Sequence, residues 1–254
     1  MQRGITGSSF GRSTGIVVGV VGFGAAALAG CAANGGDEGI VVLKNVVPTS
    51  TMGGCMFTSQ ESEVSLVRGA LDVEFGSGYV FIAQLKSRIT AVAGQESQRT
   101  VFTRGANIDI AFSDPTLFTA AEIDALNAKN LLHFMVPFTA PIGPNGGVQD
   151  VLFELVPPDL SIALAMKPTF RTVVAQTSFT VVGDLAGGDV TSQKFQYPIT
   201  VVSSGYKHDE GACALLSVSF TPRVGNPCNP GQDGIVDCCT DAAGGDVCPA
   251  VGQK

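Results

Sequence analysis

From Val41 to Val202 the chain is written in short apolar runs, rich in β-branched residues and broken by glycine, proline and asparagine. Val41–Val47 stops at Pro48, and Ser65–Phe75 stops at the turn Gly76-Ser77-Gly78. Tyr79–Ile89, Val101–Phe112, Gln149–Val156, Arg171–Val182 and Phe195–Val202 continue the series. In Val101–Phe112, Ile108, Ile110 and Phe112 alternate with Asn107, Asp109 and Ala111. A period of two puts one side of each run in a core and leaves the other outside. About eight such strands joined by tight turns predict an all-β fold, an antiparallel Ig-like β-sandwich over residues 40–205. Composition agrees, with 45% hydrophobic residues, 15% charged residues and 32 glycines.

Thr119–Asn130 can be read two ways. Thr119-x-x-Glu122 is a helix capping box followed by good helix formers. The neighbouring strand patterns favour a hairpin instead, with Glu122–Leu126 going out, Asn127–Asn130 turning and Leu131–Val136 returning. The hairpin is the expectation.

The amino terminus is an address. Arg3 and Arg12 are the only charges before residue 31, and Gly15–Leu28 is uncharged. This is a basic region followed by an apolar region of signal-peptide length, too short and glycine-rich for a permanent span. Leu28-Ala29-Gly30-Cys31 then matches the lipobox of bacterial lipoproteins at each place. A signal peptide over 1–30 is expected to be cut before Cys31, whose thiol would carry a diacylglyceryl group and whose amine an acyl chain such as palmitate. Two or more chains suffice for stable anchoring, so membrane lipid is an expected partner. Ala32, where enteric bacteria place aspartate to retain a lipoprotein inside, favours the outer membrane, at its periplasmic face or the cell surface. The stretch 31–39 reads as a flexible tether. Net charge is −7 over the chain, and removing two arginines makes the rest more acidic, so nucleic acid is an unsuitable partner.

Beyond Cys31, six cysteines remain: Cys55, Cys213, Cys228, Cys238, Cys239 and Cys248. An even number in an exported chain predicts three disulfides. The segment 206–254 holds five of them; four fall within Cys228–Cys248, a stretch with few large apolar residues, so cross-links rather than a core must order it. A bond between the neighbours Cys238 and Cys239 would close a strained ring. The short loops within the tail therefore favour Cys228 and Cys248 each taking one of that pair, which leaves Cys55 for Cys213.

Asn226-Pro-Cys-Asn-Pro-Gly-Gln-Asp-Gly-Ile-Val-Asp-Cys-Cys239, with Val247-Cys-Pro-Ala250, resembles the ending of myxobacterial-type outer-membrane lipoproteins that have a cysteine-rich C-terminal tail. A weaker likeness covers the whole mature chain, including Cys55 and Phe195–Val202; Val202–Gly205 lacks the cysteines common there. The resemblance implies export and outer-membrane anchoring, and supplies no activity.

Chemistry-bearing motifs are weak. Gly7-Ser-Ser-Phe-Gly11 matches a nucleophile elbow but lies in the signal peptide, and Ser204-x-x-Lys207 has no companion motif. His133 is expected on an exposed strand face and His208 on loop surface; the adjacent His208 and Asp209 would point apart. Asp72 and Glu74 share a strand face and could flank a sugar, although solvated acids are commoner. The cysteine gaps do not suit zinc, and Asn229, Asp233, Gly234 and Asp237 match a calcium loop only faintly, so no metal or other cofactor is assigned. The sequence points to a non-enzymatic binding or structural module with a protein or glycan partner. An envelope-polymer hydrolase is the runner-up.

Overall fold

A computed structural model describes residues 38–51, 54–56, 65–168 and 170–250. The signal peptide, Cys31, most of the tether and the Gly7–Gly11 motif lie outside the described residues. The chain is mostly β, with two α-helices among the described residues.

β1 (Glu38–Val46) ends just before Pro48. The short pieces β2 (Thr49–Thr51) and β3 (Gly54–Met56) pair with each other, and β4 (Ser65–Leu66) pairs with the end of β1. The expected strand Ser65–Phe75 divides into β4, β5 (Gly69–Asp72) and a 3-10 turn over Val73–Phe75. Asp72 causes the break: its carboxylate accepts the Glu74 backbone N–H at 3.0 Å, capping the turn.

β6 (Tyr79–Ser87) and β7 (Val101–Phe112) lie within the ranges expected from the alternation. In β7 the buried set changes phase at Gly105, from Val101 and Thr103 to Ala106, Ile108 and Ile110. The register against its neighbour shifts at the same place, which is a β-bulge. Gly105 has φ +150°, and a Cβ there would meet the Val136 carbonyl oxygen at 2.3 Å, so glycine is required.

The expected hairpin at 119–136 is corrected. Ala120–Ala128 forms α1, and the return strand alone survives as β8 (His133–Pro137), paired with β7. Both halves of the capping box are made: the Thr119 hydroxyl accepts from the Glu122 N–H, and the Glu122 carboxylate accepts from the Thr119 N–H. Lys167 then binds Glu122 at 2.6 Å from across the chain. With β7 already serving as partner to β8, a strand at 122–126 is not needed.

β9 (Pro141–Ile142), β10 (Val148–Val156), α2 (Pro158–Ala165), β11 (Thr172–Leu185), β12 (Gly188–Ser192) and β13 (Phe195–Val202) follow. α2 is not evident from the sequence, because Pro157-Pro158 looks like a strand terminator. Proline also fits the first turn of a helix, where its missing N–H costs nothing. Leu160 and Leu164 of α2 are fully buried in the core.

Strands β10-β6-β1-β12-β11-β13-β5 form one path, and β7 adds along β11 to carry β8 and β9; with β4 the sheet has eleven strands. Most pairs are antiparallel, while β1–β12 and β13–β5 are parallel. Aromatic rings join the two halves of this sheet across the core. Phe81 of β6 meets Phe179 of β11 at 5.2 Å and Tyr197 of β13 at 4.9 Å, both edge-on. Phe153 of β10 meets Phe179 at 5.2 Å. Such pairs each add about 0.5–1.5 kcal/mol beyond area burial.

The tail adds β14 (Lys207–Ala212), β15 (Val236–Thr240) and β16 (Asp246–Val247) as a small separate sheet. Three disulfides hold it: Cys55–Cys228, Cys213–Cys239 and Cys238–Cys248. Cys238 and Cys239 do take separate partners. Cys248 takes one of that pair, Cys238, as expected; the placing of Cys228 and Cys55 is corrected, since Cys228 bonds Cys55, and Cys213 takes Cys239. Neighbours on β15 project to opposite faces, so Cys239 meets Cys213 on one side and Cys238 meets Cys248 on the other. Cys213, Cys239 and Ala250 form a small buried cluster of their own.

Candidate functional site

β6 extends beyond the end of β1, and β5 has one edge beyond β13. The tail loop 226–233 closes the seam between them. Two Asn-Pro turns shape this loop. Asn226 O accepts from Asn229 N at 3.1 Å, and Asn229 O accepts from Gln232 N at 3.2 Å across Pro230-Gly231. Gly231 has φ +84°, which the second central position of a type II turn demands.

The loop then behaves as a strand. Asp72 N donates to Gly231 O and Asp233 N donates to Ala70 O, each at 2.9 Å, so residues 231–233 pair with β5. On the other side Gln232 replaces a peptide group: its Oε1 accepts from Val80 N at 2.9 Å and its Nε2 donates to Val80 O at 2.7 Å. Two residues along β6, the Asn45 side-chain oxygen accepts from Ile82 N at 3.1 Å. Side chains thus satisfy backbone groups that would otherwise be lost at the strand's open edge.

A buried polar chain runs beneath the seam. Asn45 Nδ2 donates to Tyr197 OH at 2.9 Å, Tyr197 and Tyr79 share a 3.0 Å bond, and Tyr79 donates to Asp233 Oδ2 at 2.8 Å. Burial, and then the Asp233 charge, push the Tyr79 phenol far above its ordinary range. Burial likewise pushes Tyr197 up to about 12. Desolvation raises Asp233 too, opposed by its bonds from Ala70 N, Gln232 and Tyr79.

On the solvent side of β5 and β13, Asp233 also lines an open cleft of about 360 Å³ with Leu66, Arg68, Ala70, Thr200 and Tyr206. Along β13, Tyr197, Ile199 and Val201 are buried in the core, so Thr200 faces the cleft side. Tyr206 is half-buried and Arg68 is exposed. Burial, then the Asp233 and Asp72 charges, raise the Tyr206 phenol above its ordinary range, and the Arg68 charge opposes them. A second hollow of about 300 Å³ lies between α1 and α2, with Phe118, Leu126, Ala163 and Met166 in its lining.

Asp72 is buried rather than solvated: it accepts from Glu74 N and, at 2.9 Å, from Tyr206 N, while Glu74 is exposed and binds Lys207. The two acids therefore do not flank a common space. His133 is exposed on β8, with Nδ1 2.9 Å from Asp109. His208 lies on β14 and turns to Glu210 at 2.9 Å and Asp237 at 3.3 Å, not to Asp209. Donor atoms of these three lie within 4.8 Å of one another, but Arg223 binds Asp237 through Nε, Nη2 and its backbone N–H. The guanidinium thus already holds Asp237 Oδ1, the oxygen that faces His208. Asn229 and Asp233 face the seam and do not join Asp237 in a calcium loop. Lys207 of the S-x-x-K match binds Asp246, which raises its pKa and holds its proton, the reverse of what a general base needs.

No family model, curated protein or solved structure matches the chain. No helix among the described residues is long and apolar enough to cross a membrane. Arg68, Thr200, Tyr206 and Asp233 were not singled out together from the sequence. They lie up to 165 positions apart, and no local motif joins them.

Proposed function

We propose that the chain is a lipid-anchored lipoprotein of the outer membrane, akin to the myxobacterial type, and that its folded part is a non-enzymatic binding module. The observation that carries this is an unbroken order: basic region, apolar region, Leu28-Ala29-Gly30-Cys31, a short polar tether, and then β1 at Glu38. The facing halves of the sheet serve as a sandwich scaffold of Ig-like kind. Three disulfides suit an oxidising compartment without ATP-driven repair. The acids and bases that chemistry would need are engaged in holding the fold: Asp72 in a cap, Asp237 on Arg223, and Lys207 on Asp246. This favours binding over hydrolysis.

Metabolic labelling with an alkynyl fatty acid tests the anchor. The wild-type chain should take label and fractionate with outer membrane, and Cys31→Ala should lose both properties. Label that persists in the variant would remove the basis of the reading.

A further inference from the structure

We propose that the cleft between β5, β13 and Tyr206 binds a neutral saccharide unit of an envelope or extracellular glycan. The proposal rests on the binding-module reading and names the ligand class.

Arg68 and Asp233 offer opposite signs on one lining, so a strongly anionic or cationic ligand meets repulsion from one of them. A neutral ligand with many hydroxyls does not. A sugar hydroxyl can accept from the Arg68 guanidinium, and hydrogen bonds to charged partners are the stronger kind, while Asp233, already accepting from Ala70 N, Gln232, Tyr79 and Asn226, contributes its charge. The Thr200 hydroxyl supplies a further donor and acceptor. The half-buried Tyr206 ring gives an amphipathic wall, which suits the apolar C–H face of a pyranose beside its polar rim.

The site is also stiff before any ligand arrives. Asp233 is held by Ala70 N at 2.8 Å, Tyr79 OH at 2.8 Å and Gln232 Nε2 at 3.0 Å, and Tyr206 N is tied to Asp72 at 2.9 Å. Fixed groups need little ordering on association. Arg68 is exposed, and its charge acts on the half-buried Tyr206 phenol, so the two groups share the cleft lining. The volume, about 360 Å³, is near the lower end of ligand sites and suits one or two sugar rings.

The test is ligand-observed NMR and calorimetry on the full chain in detergent, with maltotriose and tri-N-acetylglucosamine as neutral probes and trigalacturonate as the anionic one. At least one neutral probe should saturate below about 10 mM, with trigalacturonate weaker. Arg68→Ala and Tyr206→Ala should each weaken binding about tenfold or more, and Tyr206→Phe should retain most of it. The proposal is overturned if neither neutral probe saturates, if binding ignores both alanine variants, or if trigalacturonate binds as tightly. Fatty-acid label on Cys31, read on the same preparation, separates failure of the ligand class from failure of the anchor.

Discussion

The side-chain amide of Gln232 pairs with both backbone groups of Val80, at 2.9 and 2.7 Å, and so takes the part of a strand residue 152 positions away in sequence. This joins the tail to the main sheet more closely than the disulfides alone would.

Gln232→Ala should therefore unzip the seam. It leaves the Val80 N–H and C=O without partners in a part-buried setting, at a cost of about 1–3 kcal/mol for each unsatisfied group. The urea midpoint should fall, and the Val80 amide should exchange faster while amides between β7 and β11 change much less. Unchanged protection at Val80 would mean that the amide contact contributes little.

Much of this was legible locally, and the rest was not, for a physical reason. Phe195–Val202 and, past the bulge at Gly105, the second half of Val101–Phe112 carry clean alternation, and both strands occur at the bounds read from the sequence. The turn at Asn229-Pro-Gly-Gln232 is spelled by its residues. What the sequence cannot spell is which edge a loop will meet. Loop-closure entropy favours near partners, and it led to Cys228 being assigned within the tail. Pairing of the loop with β5 carries Cys228 to Cys55 instead. Asp72 was misjudged because capping a 3-10 turn turned it inward. The cleft was invisible since its four polar groups come from separate segments.

The disulfides should rank by the loop each closes. On the chain-entropy model the Cys55–Cys228 bond, with a separation of 173, stabilises by about 5 kcal/mol, and Cys238–Cys248, with a separation of 10, by about 2.7 kcal/mol. Paired serine variants should lose thermal stability in that order, with Cys213–Cys239 between them. Non-reducing peptide mapping checks the pairing directly, and a peptide joining Cys55 to Cys213 would contradict it.

Thr119→Ala should cost about 1 kcal/mol, because it removes the acceptor for the Glu122 N–H at the start of α1. Glu122 adds an acid dependence. Lys167, then the bonds from Thr119, hold its carboxyl down at about 2. Its folded pKa is depressed, so its contribution is full above the ordinary glutamate value and fades as pH falls towards about 2. Amide exchange in α1 measured through that window should rise, and Glu122→Gln should flatten the dependence.

The tyrosines give the opposite limb. Tyr79 and Tyr197 are both raised above the ordinary 10.0, chiefly because burial penalises the phenolate. A folded pKa above the unfolded one means the folded chain keeps a proton that the unfolded chain releases. Their contribution is therefore complete below pH 10 and declines above it, by about 1.4 kcal/mol per pH unit for each tyrosine still protonated when folded. Tyr197→Phe should remove one share of that slope; it also deletes the hydroxyl that receives Asn45. Tyr79→Phe should do the same to the slope and take a donor from Asp233, which raises that carboxyl further. Phenolate absorbance followed through alkaline titration checks this. Two of the three tyrosines should ionise only as the chain unfolds, whereas reversible ionisation of all three at ordinary alkaline pH with the fold intact would rule the buried chain out.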